Sequence, residues 1–118
     1  MTSEWPSEIR LSSARDVLKI TFDNGEMVAL PAEYLRVSSP SAEVQGHSAA
    51  ERKIIGGKRT VLIADVEPVG NYAVRLVFSD GHSTGLFTWT YLLELGRNQD
   101  QLWAKYLEEL AAKGLNRG

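Results

Sequence analysis

The chain has 118 residues, 43% of them hydrophobic, with 13 basic side chains against 15 acidic ones and no cysteine. That length suits one domain, residues 1–118, because two domains would each be too small to bury an adequate core. The absence of thiols excludes disulfides and thiolate metal sites, and a net charge of −2 gives no general attraction to nucleic acid or anionic lipid.

The opening segment, Met1 to Pro6, lacks the basic region and apolar run of a signal peptide. No apolar run approaches the roughly 20 residues that cross a bilayer. The expectation is a cytoplasmic protein with no membrane partner.

Residues 15–30 read as a β-hairpin. Leu18, Ile20 and Phe22 alternate with Lys19 and Thr21, Asp23-Asn24-Gly25 supplies the turn, and Glu26 to Leu30 returns. Asn-Gly predicts a type I′ turn, with positive φ at both central positions. Pro31 is placed at the first position of a short helix running through Ala32, Glu33, Tyr34, Leu35 and Arg36.

Residues 37–57 are small and polar, ending in Gly56-Gly57, with a helical turn expected from Ala49 to Ile55. Connections this long are uncommon in compact domains and often functional. Lys58 to Glu67 reads as a strand, and consecutive Val61, Leu62, Ile63 and Ala64 predict a central one. Pro68 to Asn71 is read as a turn. Tyr72 to Phe78 is the next strand, Ser79-Asp80-Gly81 turns, and His82 to Phe87 returns.

Thr88 is expected to cap a helix from Trp89 to Leu95, with Gly96 ending it in a left-handed conformation. Asn98 and Gln101 suggest a capping box for the last helix. Leu102, Trp103, Tyr106, Leu107 and Leu110 form its apolar face, and Gly114 stops it.

Two stretches share a plan. Phe22-Asp23-Asn24-Gly25 is echoed by Phe78-Ser79-Asp80-Gly81, and Tyr34-Leu35 by Tyr91-Leu92 at nearly the same interval. The expected fold is therefore α+β: a two-layer sandwich of two hairpin–helix units sharing a mainly antiparallel sheet, with helices mostly on one face.

Little in the chain points to catalysis. There is no Gly-x-Ser-x-Gly, and sequence adjacency of Ser48 to His47 and of Ser83 to His82 does not make a triad. Gly56-Gly57-Lys58-Arg59-Thr60 lacks the first glycine of a P-loop and enters a strand. Arg52, Lys53, Lys58 and Arg59 cluster without interleaved aromatics, so no nucleic-acid platform is read. Asp80-Gly81-His82, with His47, is a candidate divalent-metal group. A turn accounts for Asp80 without any metal, and a solvated loop accounts for His47. The reading is a protein without enzymatic activity or cofactor.

Several phrases together carry a family resemblance: Trp5-Pro6, Leu30-Pro31-Ala32-Glu33-Tyr34-Leu35-Arg36, Ser39-Pro40-Ser41-Ala42-Glu43, Gln45-Gly46-His47, Gly70-Asn71-Tyr72-Ala73, and Asp80-Gly81-His82-Ser83-Thr84-Gly85 running to Trp89. From about residue 5 to 113 the chain resembles the gamma-butyrobetaine hydroxylase-like N-terminal domain family, found in bacteria as a stand-alone domain of unknown function. In the dioxygenases, the resemblance implies, a related domain holds a structural zinc through a Cys-Pro-Cys-x-x-Cys segment and a later His. Here that segment falls on Ser39-Pro40-Ser41-Ala42-Glu43-Val44 and the His on His82, so three ligand positions carry Ser39, Ser41 and Val44. An empty zinc site is expected. The catalytic iron domain of those enzymes has no counterpart in this chain. Related domains are also appended to iron–sulfur ATPases. The resemblance thus implies an accessory module for an unidentified protein, an oxygenase or an iron–sulfur assembly ATPase. Its expected contacts are Ser39, Pro40, Ser41, Glu43, His47, Asp80 and His82.

Overall fold

A computed structural model describes residues 5–40 and 54–118. Strands β1 (Pro6–Leu11), β2 (Val17–Phe22) and β3 (Met27–Pro31) form one antiparallel sheet in that order, and helix α1 (Ala32–Val37) follows directly. Strands β4 (Ile63–Val69), β5 (Ala73–Phe78) and β6 (Leu86–Thr88) form a second, and helices α2 (Trp89–Arg97) and α3 (Gln99–Ala112) complete the described chain. The α+β class and the two hairpin–helix units are as expected. Their hydrogen bonding is divided between two three-stranded sheets rather than joined in one.

Alternation sets which face is buried. Leu18, Ile20 and Phe22 of β2, Val28 and Leu30 of β3, and Val74, Leu76 and Phe78 of β5 meet in one core with Leu35, Phe87, Leu92, Leu93 and Leu95. Arg15 ties the sheets at one end. Its carbonyl accepts from the Ile63 N–H at 2.8 Å, and its Nη1 donates to the Ala64 carbonyl at 2.7 Å. It does so at φ 62°, a conformation that costs a residue with a side chain.

The two hairpins share one turn. Gly25 N–H donates to the Phe22 carbonyl at 3.0 Å and Phe22 N–H to the Glu26 carbonyl at 2.8 Å. In the second unit Gly81 N–H reaches Phe78 at 3.0 Å and Phe78 N–H reaches His82 at 2.9 Å. Only the glycine has positive φ, 92° in both turns. This is a three-residue turn with a left-handed glycine, not the type I′ turn that Asn-Gly suggests.

The helices pack reciprocally. Tyr34 Oη of α1 donates to the Leu95 carbonyl at 2.7 Å, and Tyr91 Oη of α2 donates to the Ser38 carbonyl. Each tyrosine thus satisfies a carbonyl at the end of the other unit's helix. The turns follow suit: Glu26 pairs with Arg97, the last residue of α2, and His82 with Ser39, just beyond α1. The sequence echo is an approximate two-fold arrangement in space.

Burial raises the pKa of both Tyr34 and Tyr106 to about 12, with smaller contributions from Tyr91 at Tyr34 and Glu33 at Tyr106. An unfolded tyrosine ionises near 10. Between those values the native chain retains protons that the unfolded chain has lost, so stability should fall as pH rises from about 10 to about 12. Urea unfolding across that window, with phenolate absorbance followed in parallel, checks it. A stability independent of pH there is the contrary result.

Other local expectations are corrected. Strand β4 is an edge strand, not a central one, and Leu62 and Ala64 are exposed. It runs through Pro68, whose missing N–H an edge tolerates. The return strand shortens to Leu86–Thr88. Pro31 is the extended residue before α1 rather than its first helical residue. Gly96 lies inside α2 without positive φ. Asn98 does not cap α3 with its side chain but donates Nδ2 to the Glu94 carbonyl, closing α2. Thr88 does cap α2, accepting from Tyr91 N–H at 3.2 Å. On α3, Tyr106 and Leu110 are buried while Leu102 and Leu107 are exposed. The turn expected from Ala49 to Ile55 falls mainly outside the described residues.

Candidate functional site

The second turn builds a small polar corner against the end of α1. Asp80 Oδ1 accepts from the His82 N–H at 3.1 Å, a local bond that suits aspartate in a turn. Asp80 Oδ2 meets two cations, Arg36 Nε at 2.8 Å and Lys58 Nζ at 2.6 Å. The Arg36 side chain is only 5% exposed, and among the described residues its Nη1 has no hydrogen-bond acceptor. Burial opposes ionisation of Asp80. The hydrogen bonds from Lys58, the His82 N–H and Arg36, with the Arg36 charge, outweigh it and hold this carboxyl well below the usual carboxylate range.

His82 and Ser39 complete the corner. Ser39 Oγ lies 3.0 Å from His82 Nε2, and both residues are buried. Gly85 makes room for Ser39, since a Cβ there would come 2.3 Å from Ser39 Oγ and 3.2 Å from Pro40 Cδ. Ser39 and His82 are the two described positions onto which the resemblance lays a cysteine and the histidine of a zinc site. They stand side by side, joined by a hydrogen bond.

This arrangement has limited chemical reach. Asp80 binds the main chain of His82, so the three side chains do not form a Ser-His-Asp relay. A fully buried Ser39 hydroxyl offers no path to a substrate. Among the described residues no three or more His, Cys, Asp or Glu side chains are grouped to hold a metal. Asp80 already serves two cations, and their charge opposes a third. His47, Ser41, Glu43 and Val44 lie outside the described residues. The metal group of Asp80, His82 and His47 therefore gains no support.

Both chain segments flanking residues 41–53 are fixed. Before them stands the Ser39–His82 pair. After them, Ile54 and Ile55 pack against Val37, Tyr106 and Leu110, and Tyr106 Oη donates to the Ile55 carbonyl. Lys58, one of the basic cluster in the sequence, closes on Asp80, and Arg36 was not singled out at all. The available signal was an arginine on a short helix with apolar neighbours on both sides, Leu35 and Val37.

A family model described as gamma-butyrobetaine hydroxylase-like, N-terminal, matches residues 9–93. One NMR solution structure is similar at 49% identity and a TM-score of 0.85, covering 98% of this chain and 91% of that one. A second is 44% identical with a TM-score of 0.83, covering 99% and 90%. A crystal structure of a protein of unknown function from Acidithiobacillus ferrooxidans, placed in the DUF971 family, is 42% identical. Its TM-score is 0.65, over 77% of this chain and 91% of that one. No curated protein matches. Among the described residues no helix is long and apolar enough to cross a membrane.

Proposed function

The chain belongs to the gamma-butyrobetaine hydroxylase-like N-terminal family, and from that premise we propose that it is a non-enzymatic interaction module. Its partner is a protein, and its contact surface is the segment after α1, with Pro40, Ser41, Glu43 and His47; Ser39 and His82, also expected as contacts, are buried, and Asp80 is engaged by Arg36 and Lys58. The observation that carries this reading is the anchoring of residues 41–53 on both sides. A polar segment of this length contributes little to a core. Fixing its two roots to the packed helices lowers the entropy lost when it engages a partner.

The corner built on the Asp80 turn supports the same view. Arg36 and Lys58 are engaged with Asp80, and Ser39 with His82, as a structural support, so recognition of a partner is assigned to the polar side chains of the neighbouring segment. An oxygenase and an iron–sulfur assembly ATPase are the partner classes that the family resemblance favours, and neither requires this chain to hold a cofactor.

Affinity capture with the full chain tests the reading against a variant carrying Ser41→Ala, Glu43→Ala and His47→Ala. A partner retained by the wild type should drop at least tenfold with the variant, while the melting temperature changes little. Equal recovery from both would end the role assigned to this segment.

A further inference from the structure

On a different face, α1 and α3 form a site that the chain fills with its own side chain. Glu33, the second residue of α1, is 7% exposed, and its carboxylate receives Arg117 Nε at 2.9 Å and Nη2 at 2.7 Å. The Arg117 guanidinium carbon lies 5.4 Å from the ring centre of Trp103 on α3. Trp103 is held edge-on to Tyr34 at 6.1 Å and tilted over Tyr106 at 5.1 Å. A cavity of about 200 Å³ beside the pair is lined by Pro31, Glu33, Tyr34, Gln99, Trp103 and Arg117.

The two halves of this contact differ in kind. The receiving half stands on helices, and its aromatic wall is fixed by packing. The donating half is a strap beyond the end of α3, which stops at Gly114 with φ 68°. Outside Arg117 the strap is held to the body by Gly57 N–H on the Asn116 carbonyl and Arg59 N–H on the Arg117 carbonyl, each at 2.9 Å. The Arg117 side chain remains 42% exposed.

A nearly buried carboxylate facing a rigid aromatic surface has a specific demand. It needs a planar cation that forks onto both oxygens and lies flat on the ring, which arginine supplies and lysine does not. Left without that cation, Glu33 would be a buried, unpaired charge.

We infer that the Glu33–Trp103 corner is an arginine-recognition site, occupied in the isolated chain by Arg117, and that an arginine of a partner protein competes for it. The Gly57 and Arg59 N–H groups freed with the strap would take the partner's carbonyls, and the 200 Å³ cavity gives its neighbouring side chain room. This site is independent of the role proposed for residues 41–53.

The test is an NMR titration of full-length Arg117→Ala with N-acetyl-arginine amide, reading the Trp103 indole resonance. Saturable binding at least tenfold tighter than to the wild type is expected. It should be lost in Glu33→Gln/Arg117→Ala, and N-acetyl-citrulline amide should not bind. If Arg117→Ala does not fold, Arg117→Lys serves, because it keeps a charge but loses the fork. Two results overturn the inference: a folded variant with no saturable shift, or a variant that binds no tighter than the wild type.

Discussion

Asp80→Asn is expected to lower the unfolding free energy by about 3 kcal/mol, the cost of leaving a buried charge without its counter-ion. The substitution preserves shape and can still accept the His82 N–H. Among the described residues it removes the only carboxylate to which Arg36 is bonded, and that guanidinium is 5% exposed with one nitrogen already lacking an acceptor there. Lys58 is 22% exposed and can turn to water, so most of the loss falls on Arg36. Urea unfolding at neutral pH measures it. A change below about 0.5 kcal/mol, the ordinary scale of a surface substitution, would show that solvent already screens the pair.

Two companion measurements separate charge from packing. Because the native carboxyl lies well below the usual range, its contribution is complete at neutral pH. It should decline as pH falls below about 4, where the unfolded carboxyl begins to protonate, and continue down to the native value. Asp80→Asn should lack that part of the acid limb. Adding Arg36→Leu to Asp80→Asn should restore much of the lost stability, since it removes the stranded charge and leaves an apolar side chain in its buried place. That recovery is the non-additivity expected of two groups in direct contact.

How much of this was legible in the sequence follows from how local each cause is. The paired units were readable because Asp23-Asn24-Gly25 and Ser79-Asp80-Gly81 fix their turns within a few residues. The division into two sheets was not, because it depends on which strands pair across a long interval, and the tie between the sheets, Arg15 to Ile63 and Ala64, is equally remote in sequence. The consecutive apolar run from Val61 to Ala64 suggested burial on both faces, yet β4 has one neighbour, and Leu62 just before it and Ala64 within it are exposed. Leu102 and Leu107 were assigned to a buried face of α3 because helical spacing gives a stripe's direction but not the width that a neighbour covers. Ser39 and His82 could be paired only through the family's ligand pattern, since nothing in their spacing brings them together. Glu33 and Arg117 were invisible for a similar reason. Each reads alone as an exposed charge, and only the fold sets one against the other.

Gly96→Ala should cost about 1–3 kcal/mol, the scale of overpacking a filled core, although alanine is the better helix former by about 0.5–1 kcal/mol. Gly96 sits within α2, where a glycine has no conformational purpose, and it has no positive φ. Its reason is contact. A Cβ there would lie 2.2 Å from Val28 Cγ1 and 2.6 Å from Val28 Cβ, and a branched side chain at 8% exposure cannot turn away. The reciprocal place in the other unit is built the opposite way, with a side chain at Ser39 and the glycine at Gly85 facing it. The contact is thus one side chain against one absent side chain at each end, Val28 against Gly96 and Ser39 against Gly85. Val28→Ala in the Gly96→Ala background should recover part of the loss, leaving the double variant more stable than the sum of the single changes implies. Chemical denaturation of the four proteins decides it. Strict additivity would mean that α2 and β3 shift apart to accept the methyl group, and that the close approach at Gly96 is not what holds the two units in register.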